Sequence, residues 1–477
     1  MKFPGQRKSK HYFPVHARDP LVSQAQESKK MTRTHIIGID QTLVDIEAKV
    51  TSDVIEKYGL SKGHSLVIDD VKAEELYQQL KEENLITNEY AGGTIGNTLH
   101  NYSVLADDRS TLLGVMSQDI KIGSYGYRYL CNTSSRMDLN YLQGVDGAIG
   151  RCFALITEDG ERTFAISEGQ MNQLHPDSIP EKIFKNASAL VLTSYLVRCK
   201  EGDPMPEATM KAIEFAKKND VPVVLTLGTK FVIQDDPKYW QDFIREHVSV
   251  VAMNEDEAEA LTGETDPLAA SDKTLEWADM VLCTAGPVGL FMAGYTEDSA
   301  KRETTLPLLP GSIAEFNRYE FSRPAKKDAC QNPIRVYSHI SPYMGGPEKI
   351  KNTNGAGDAA LSAVLHDMAA NKYHKENVPN SSKHSNEYLT YSSFSQVCKY
   401  ANRASYEVSC NILLACLVAY QSEKTVWKKH TGNVNSYRIN HFITNVKMAC
   451  LKKYAIFYLR KTNKKGSQRE PFLNKND

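Results

Sequence analysis

An α/β fold, with a parallel sheet covered by helices on both faces, is the architecture this chain predicts. Two observations carry it. Short apolar runs of strand type alternate with segments of helical spacing, and glycine-rich turns stand where strands should hand over to helices. Segments 188–193 and 221–226 are such runs, and between them 205–218 places Ala208, Met210, Ile213, Phe215 and Ala216 at near-helical spacing. Segments 248–253 and 280–284 repeat the pattern around an acidic helical stretch, 255–261. Strands that are apolar throughout, separated by helices, need a sheet buried on both faces. Ligands of such a sheet bind at the carboxyl ends of its strands, where the glycine turns fall.

The elements that carry chemistry follow in chain order. Ile36, Ile37 and Ile39 form an apolar run ended by Asp40, and 43–46 repeats it around Asp45. A carboxylate just after or within a strand end can accept bonds from two vicinal hydroxyls. Ala91-Gly92-Gly93-Thr94-Ile95-Gly96-Asn97-Thr98 is a paired glycine turn opening a helix. Gly92 and Gly93 leave bare backbone for a sugar to pack on, and Asn97 can bind its hydroxyls. Such turns are common, so this one carries little alone. Asn254 and Glu257 offer hard oxygens suited to Mg²⁺, but the same pair also reads as an N-cap and acidic first turn. The turn from Thr284 through Gly286 to Gly289 has backbone N–H groups for a nucleotide, or is a plain turn.

The strongest signal is Asn352-Thr353-Asn354-Gly355-Ala356-Gly357-Asp358, followed by the apolar run 359–370. Gly355, Ala356 and Gly357 would turn free N–H groups and a positive helix end toward an anion. A carboxylate there is repelled by phosphate. It makes sense if Asp358 takes the proton from a hydroxyl attacking phosphorus. A glycine turn capped by Asp is the plainer alternative.

In this order, about 260 residues apart, the two glycine motifs resemble the opening and closing signatures of the ribokinase (PfkB) family of sugar and nucleoside kinases. Asn254 to Glu257 resembles that family's Asn-x-x-Glu element. Asp45 aligns best with its sugar-binding Asp, and Asp40 is the alternative. Segments 2–14, 132–136 and 380–384 resemble the branch acting on inosine and guanosine, over about residues 1–408. The resemblance implies a ribokinase-like parallel sheet covered by helices, with a small β-sheet lid from about 42–50 and 152–166. It implies γ-phosphoryl transfer from ATP to the 5′-hydroxyl of inosine or guanosine, with Mg²⁺ ordered through Glu257. The choice of purine comes from the resemblance alone, and adenosine or a free sugar is the alternative acceptor. Arg162, at the turn of the second lid segment, reads as a solvent-facing charge rather than a phosphate ligand. Asn352 departs from the family, which usually has Asp there. Many members bind K⁺ beside this loop, and a neutral amide is a weaker cation ligand, so K⁺ stays open as a cofactor.

Composition fits a packed globule: 477 residues, 41% of them hydrophobic. Nine cysteines without a Cys-x-x-Cys pair suggest reduced thiols, and neither a signal-type apolar core nor a spanning apolar window is seen. A cytoplasmic protein without membrane or nucleic-acid partners is expected, a homodimer remaining open. Residues 300–350 form a longer excursion than a minimal family member needs, expected to be strand-rich. The resemblance stops near Val408. Residues 409–477 carry 13 lysines and arginines against 3 acidic residues, although the whole chain has net charge −1. The preferred reading is a frameshifted ending, poorly ordered and inert. A basic arm for nucleic acid or an anionic membrane is the alternative.

Overall fold

The computed structural model describes residues 34–410 except 107, 135, 306–312, 344 and 346. Its strands are β1 (His35–Ile39), β2 (Leu43–Lys49), β3 (Ser65–Val67), β4 (Ile86–Ala91), β5 (Ser110–Ser117), β6 (Met137–Asp138), β7 (Leu142–Val145) and β8 (Gly150–Ile156). They continue with β9 (Arg162–Ser167), β10 (Ala187–Thr193), β11 (Val223–Thr226), β12 (Val250–Asn254), β13 (Met280–Ala285), β14 (Gly289–Glu297) and β15 (Pro333–Ile340). The large sheet has the order β15-β14-β13-β12-β11-β10-β1-β5-β6, with β7 also on β5.

From β6 to β13 the neighbours are parallel, as the strand–helix rhythm requires. β10 is buried along its whole length, which explains its apolar run from Ala189 to Leu192. Side chains alternate between the faces. Ile36 joins the layer of helices Thr94–Leu105, Ala356–Asn377 and Phe394–Ser409, whereas Ile37 and Ile39 join the layer of Met205–Lys218 and Pro237–His247.

The sheet ends in an antiparallel edge that the parallel reading did not anticipate. A three-residue 3₁₀ turn, Gly286–Val288, joins β13 to β14, too short for a crossover, so the chain must return as a hairpin. The 300–350 excursion then supplies β15, paired to β14 along its length. It is pinned by the Asn317 side-chain oxygen, which accepts from the His339 N–H at 2.7 Å, and by the Ser338 hydroxyl donating to Glu320 at 2.9 Å.

A second sheet, β3-β9-β8-β2-β4, contains both expected lid segments. One face carries Val44, Ile46, Ala48, Phe153, Leu155 and Ala165, covered by the helices Ser52–Lys57 and Asp70–Glu82. The opposite face carries Asp45, Cys152 and Ile166, adjacent across three strands. Among the described residues no helix is long and apolar enough to cross a membrane. The tail from 411 on, including the apolar run 412–420, lies outside the described residues.

Candidate active site

Asp40 follows β1 at the carboxyl edge of the large sheet. Its Oδ2 accepts from the Gly96 N–H at 2.6 Å, so it caps the helix Thr94–Leu105. Burial pushes its carboxyl well above the ordinary range, against the pull of the Gly96 N–H. Asp45, on β2, is only partly covered and takes a hydrogen bond from the Cys152 thiol. The geometry therefore separates the two candidates: Asp40 is committed to the helix start, and Asp45 faces the open side.

The glycine pair is explained by these carboxylates. A Cβ at Gly92 would stand 2.5 Å from Asp45 Oδ2, and one at Gly93 would collide with Asp40 Oδ2. Gly93 also has φ +95°, a conformation that disfavours side chains. Read from sequence as bare backbone for a sugar, the pair is needed first to admit two aspartates.

Asp358 lies in the first turn of the helix Ala356–Asn377, which starts from Gly355 at φ +73°. Burial pushes its carboxyl up to about 7; the nearby Asp45 charge raises it further, while an Asn97 hydrogen bond opposes both. Asn97, read as a ribose ligand, thus also orients Asp358. Burial raises Asp45 to about 7 as well. Ser362 ties the two motif helices together, donating to the Thr98 carbonyl at 2.8 Å. Of the three expected anion-hole residues, Ala356 gives its N–H to the Thr353 carbonyl at 3.2 Å. The N–H groups of Gly355 and Gly357 have no partner among the described residues. At Gly357 an added Cβ would meet open space.

Arg162 is not the solvent-facing charge that its hairpin position suggested. It opens β9, and its guanidinium crosses to the closing loop, donating to Asn354 Oδ1 and to Asn352 Oδ1, the latter at 3.2 Å. Asn352 Oδ1 also accepts from the Asn354 N–H at 3.0 Å. The lid and the closing loop are bridged by one cation. Behind the loop, the Ser409 carbonyl accepts from the N–H groups of Lys351 (2.8 Å) and Asn352 (3.2 Å), so the last described helix anchors it.

Asn254 and Glu257 form a reciprocal capping box: Asn254 Oδ1 accepts from the Glu257 N–H at 2.8 Å and Glu257 Oε2 from the Asn254 N–H at 2.9 Å. The structure thus shows the N-cap reading; the buried Glu257, raised to about 7 by burial, also acts electrostatically on Asp358. Among the described residues no group of three or more His, Cys, Asp or Glu could hold a metal alone. The two Glu257 carboxylate oxygens are hard donors of the kind Mg²⁺ takes, one or two at a time beside phosphates and waters. Asn254 and Thr284 are register neighbours on β12 and β13, and Gly286 follows Thr284 at φ +40°. Gly289 has its own structural reason, since a side chain there would strike the Ile340 carbonyl.

Sequence reading missed Tyr195. It sits in the turn after β10, donates to the Gly228 carbonyl at 3.1 Å, and its phenol is pushed up by burial and then by the nearby Glu257 charge. Its place just beyond a strand's carboxyl end was the available signal.

Known proteins resemble this chain in both sequence and fold. The model of the pfkB family carbohydrate kinases matches residues 62–307. The chain is 73% identical over 408 residues to the guanosine-inosine kinase of Escherichia coli, covering 86% of this chain and 94% of that protein. It is 25% identical over 240 residues to the adenosine kinase of Saccharomyces cerevisiae, 47% of this chain and 65% of that one. Two solved structures share its fold. An adenosine kinase from Sinorhizobium meliloti has TM-score 0.58 at 18% identity, covering 83% of this chain and 100% of that chain. A probable sugar kinase from Rhizobium etli has TM-score 0.60 at 17% identity, covering 83% and 99%. With its paired glycine turn, its closing Gly-Ala-Gly-Asp helix start and this match, the chain belongs to the pfkB family of carbohydrate kinases.

Proposed function

We propose that the chain transfers the γ-phosphoryl group of ATP to the 5′-hydroxyl of inosine and guanosine, forming IMP and GMP. The observation that carries this is the Asp358 carboxyl at the start of the glycine-led helix, raised to about 7 beside Asp45. A base with that affinity for protons is matched to work near neutrality. The purine choice is supported by the 73% identity to a guanosine-inosine kinase.

Asp45 and the backbone at Gly92 and Gly93 hold the ribose. Asp358, oriented by Asn97, accepts the 5′-OH proton as attack begins. The N–H groups of Gly355 and Gly357 and the positive helix end take up charge on the transferring phosphoryl group. Asn254, Thr284, Gly286 and Gly289 line the nucleotide side. Mg²⁺, ordered through Glu257, neutralises charge on the ATP phosphates when bound. Asn352 spends its amide oxygen on Arg162 and Asn354, so K⁺ has little left to bind there. 5′-Deoxyinosine, which lacks the acceptor oxygen, should inhibit competitively and yield no phosphorylated product. Phosphorylation of it would contradict transfer to the 5′ position.

Arg162→Met should lower kcat by about 10–100-fold, since one charge-assisted contact is worth about 1.5–3 kcal/mol. Unchanged kcat would show that the bridge to Asn352 and Asn354 is incidental. We place the kinase unit at residues 1–408 and read 409–477 as a frameshifted ending, inert apart from Ser409, whose backbone carbonyl anchors the closing loop. A chain cut after Cys410 should therefore keep its activity. One cut after Ala401 should lose it, because Ser409 anchors the closing loop. Loss of activity on the first cut would refute that division.

A further inference from the structure

We propose that Glu168 and Lys200 read the base, selecting 6-oxopurines over adenine; this rests on the nucleoside-kinase reading above. The lid strand β9 gives the site its direction. β9 begins at Arg162, whose guanidinium touches the closing loop, and so its first end lies toward the phosphates. Ile166, on the same face, is opposite Cys152, which is in register with Asp45, the proposed ribose anchor. Glu168 comes directly after the strand, one pleat beyond Ile166 and about 7 Å further from the phosphate end. A nucleoside with its 5′ carbon toward Asp358 and its diol on Asp45 extends its base in that direction.

What stands there is a donor beside an acceptor. The Lys200 ammonium donates to Glu168 Oε2, joining the lid to the segment that follows the turn carrying Tyr195. The Glu168 side chain is 21% exposed and that of Lys200 71%, so the carboxylate faces inward while the ammonium lies at the rim. Hypoxanthine and guanine present an O6 acceptor next to an N1–H donor, whereas adenine presents an N6 donor next to an N1 acceptor. Lys200 donating to O6 and Glu168 accepting from N1–H match the first pattern. The ribose anchor fixes the order, so adenine cannot be read backwards. The N2 amino group of guanine adjoins N1–H and offers a second bond to the same carboxylate.

The competing carboxylate on this face is Glu47. It lies on the phosphate side of Asp45, level with Ala154 and Phe164, and already accepts from Thr87 (2.9 Å) and Asn88 (3.2 Å). It is therefore less suited to the base.

The test compares the full-length wild type with Glu168→Gln and Lys200→Met, measuring kcat and KM for inosine, guanosine and 1-methylinosine and the inhibition constant of adenosine. 1-Methylinosine has no N1–H and serves as the internal reference. Glu168→Gln should lower kcat/KM for guanosine by about 10–100-fold, mainly through KM. Inosine should lose less, 1-methylinosine should be little changed, and adenosine should compete better relative to inosine. Lys200→Met should weaken all three substrates that carry O6. Equal losses for guanosine and 1-methylinosine, as a purely structural role would give, overturn the proposal. So do unchanged ratios in active variants. Absence of turnover on any nucleoside by the wild type would instead overturn the kinase reading, and this one with it.

Discussion

Asp358→Asn should lower kcat by about 10²–10⁴ with KM little changed. The amide keeps the shape and can still meet Asn97, but it cannot take a proton from the 5′-hydroxyl. The nucleoside remains held by Asp45, so binding survives. The pH profile gives an independent check. Asp45 and Asp358 are both raised to about 7, and a base acts only when ionised. In the wild type, kcat/KM should rise with pH through about 7 and then level off. Stability should move the opposite way. A carboxyl whose folded pKa lies above its unfolded value stabilises the fold below the unfolded pKa, near 4, and that contribution is lost as pH rises through about 7. Asp358→Asn should therefore melt no lower than the wild type at pH 8. A variant that is inactive and also poorly folded would point to a structural aspartate, and one with near-full turnover would remove it as the base.

Gly93→Ala should be the most damaging substitution outside the catalytic group. Two costs coincide there. At φ +95° a side chain strains the backbone by about 1–2 kcal/mol. The new methyl would also collide with Asp40 Oδ2, a buried carboxylate that caps the next helix and cannot easily move. Together they should cost about 2–4 kcal/mol of stability, in the range of severe single substitutions. Activity should fall even where the fold survives, because that helix carries Asn97 against Asp358. Thermal melting and kcat/KM measured together decide it. A melting temperature within about 1 °C of the wild type would show that the turn tolerates a side chain.

These two positions show what the sequence could reveal. Asp358 stood out because a carboxylate is odd beside a phosphate site, whereas Asp45 and the opening glycines drew notice by their place in the family's motifs. The parallel strands were legible because burial on both faces favours apolar residues at successive positions, as in Ala189 to Leu192 of β10. The antiparallel edge was not, because its direction is set by the short turn at Gly286–Val288 rather than by any periodicity. β3 was missed because all three of its residues are exposed, which leaves no apolar alternation to read. Arg162 was misread for a different reason: its partner Asn354 is 192 residues away, and a hairpin arginine looks solvated until the fold brings the loop to it. Tyr195 and Glu168 depend in the same way on surfaces that meet only in three dimensions.

The most direct test of the whole account is nucleoside monophosphate formation by the purified full-length chain, with ATP and Mg²⁺ present and inosine, guanosine, adenosine and ribose offered separately. IMP and GMP should form, with kcat/KM for inosine and guanosine well above the values for adenosine and ribose. Equal or greater turnover of adenosine or ribose would contradict it.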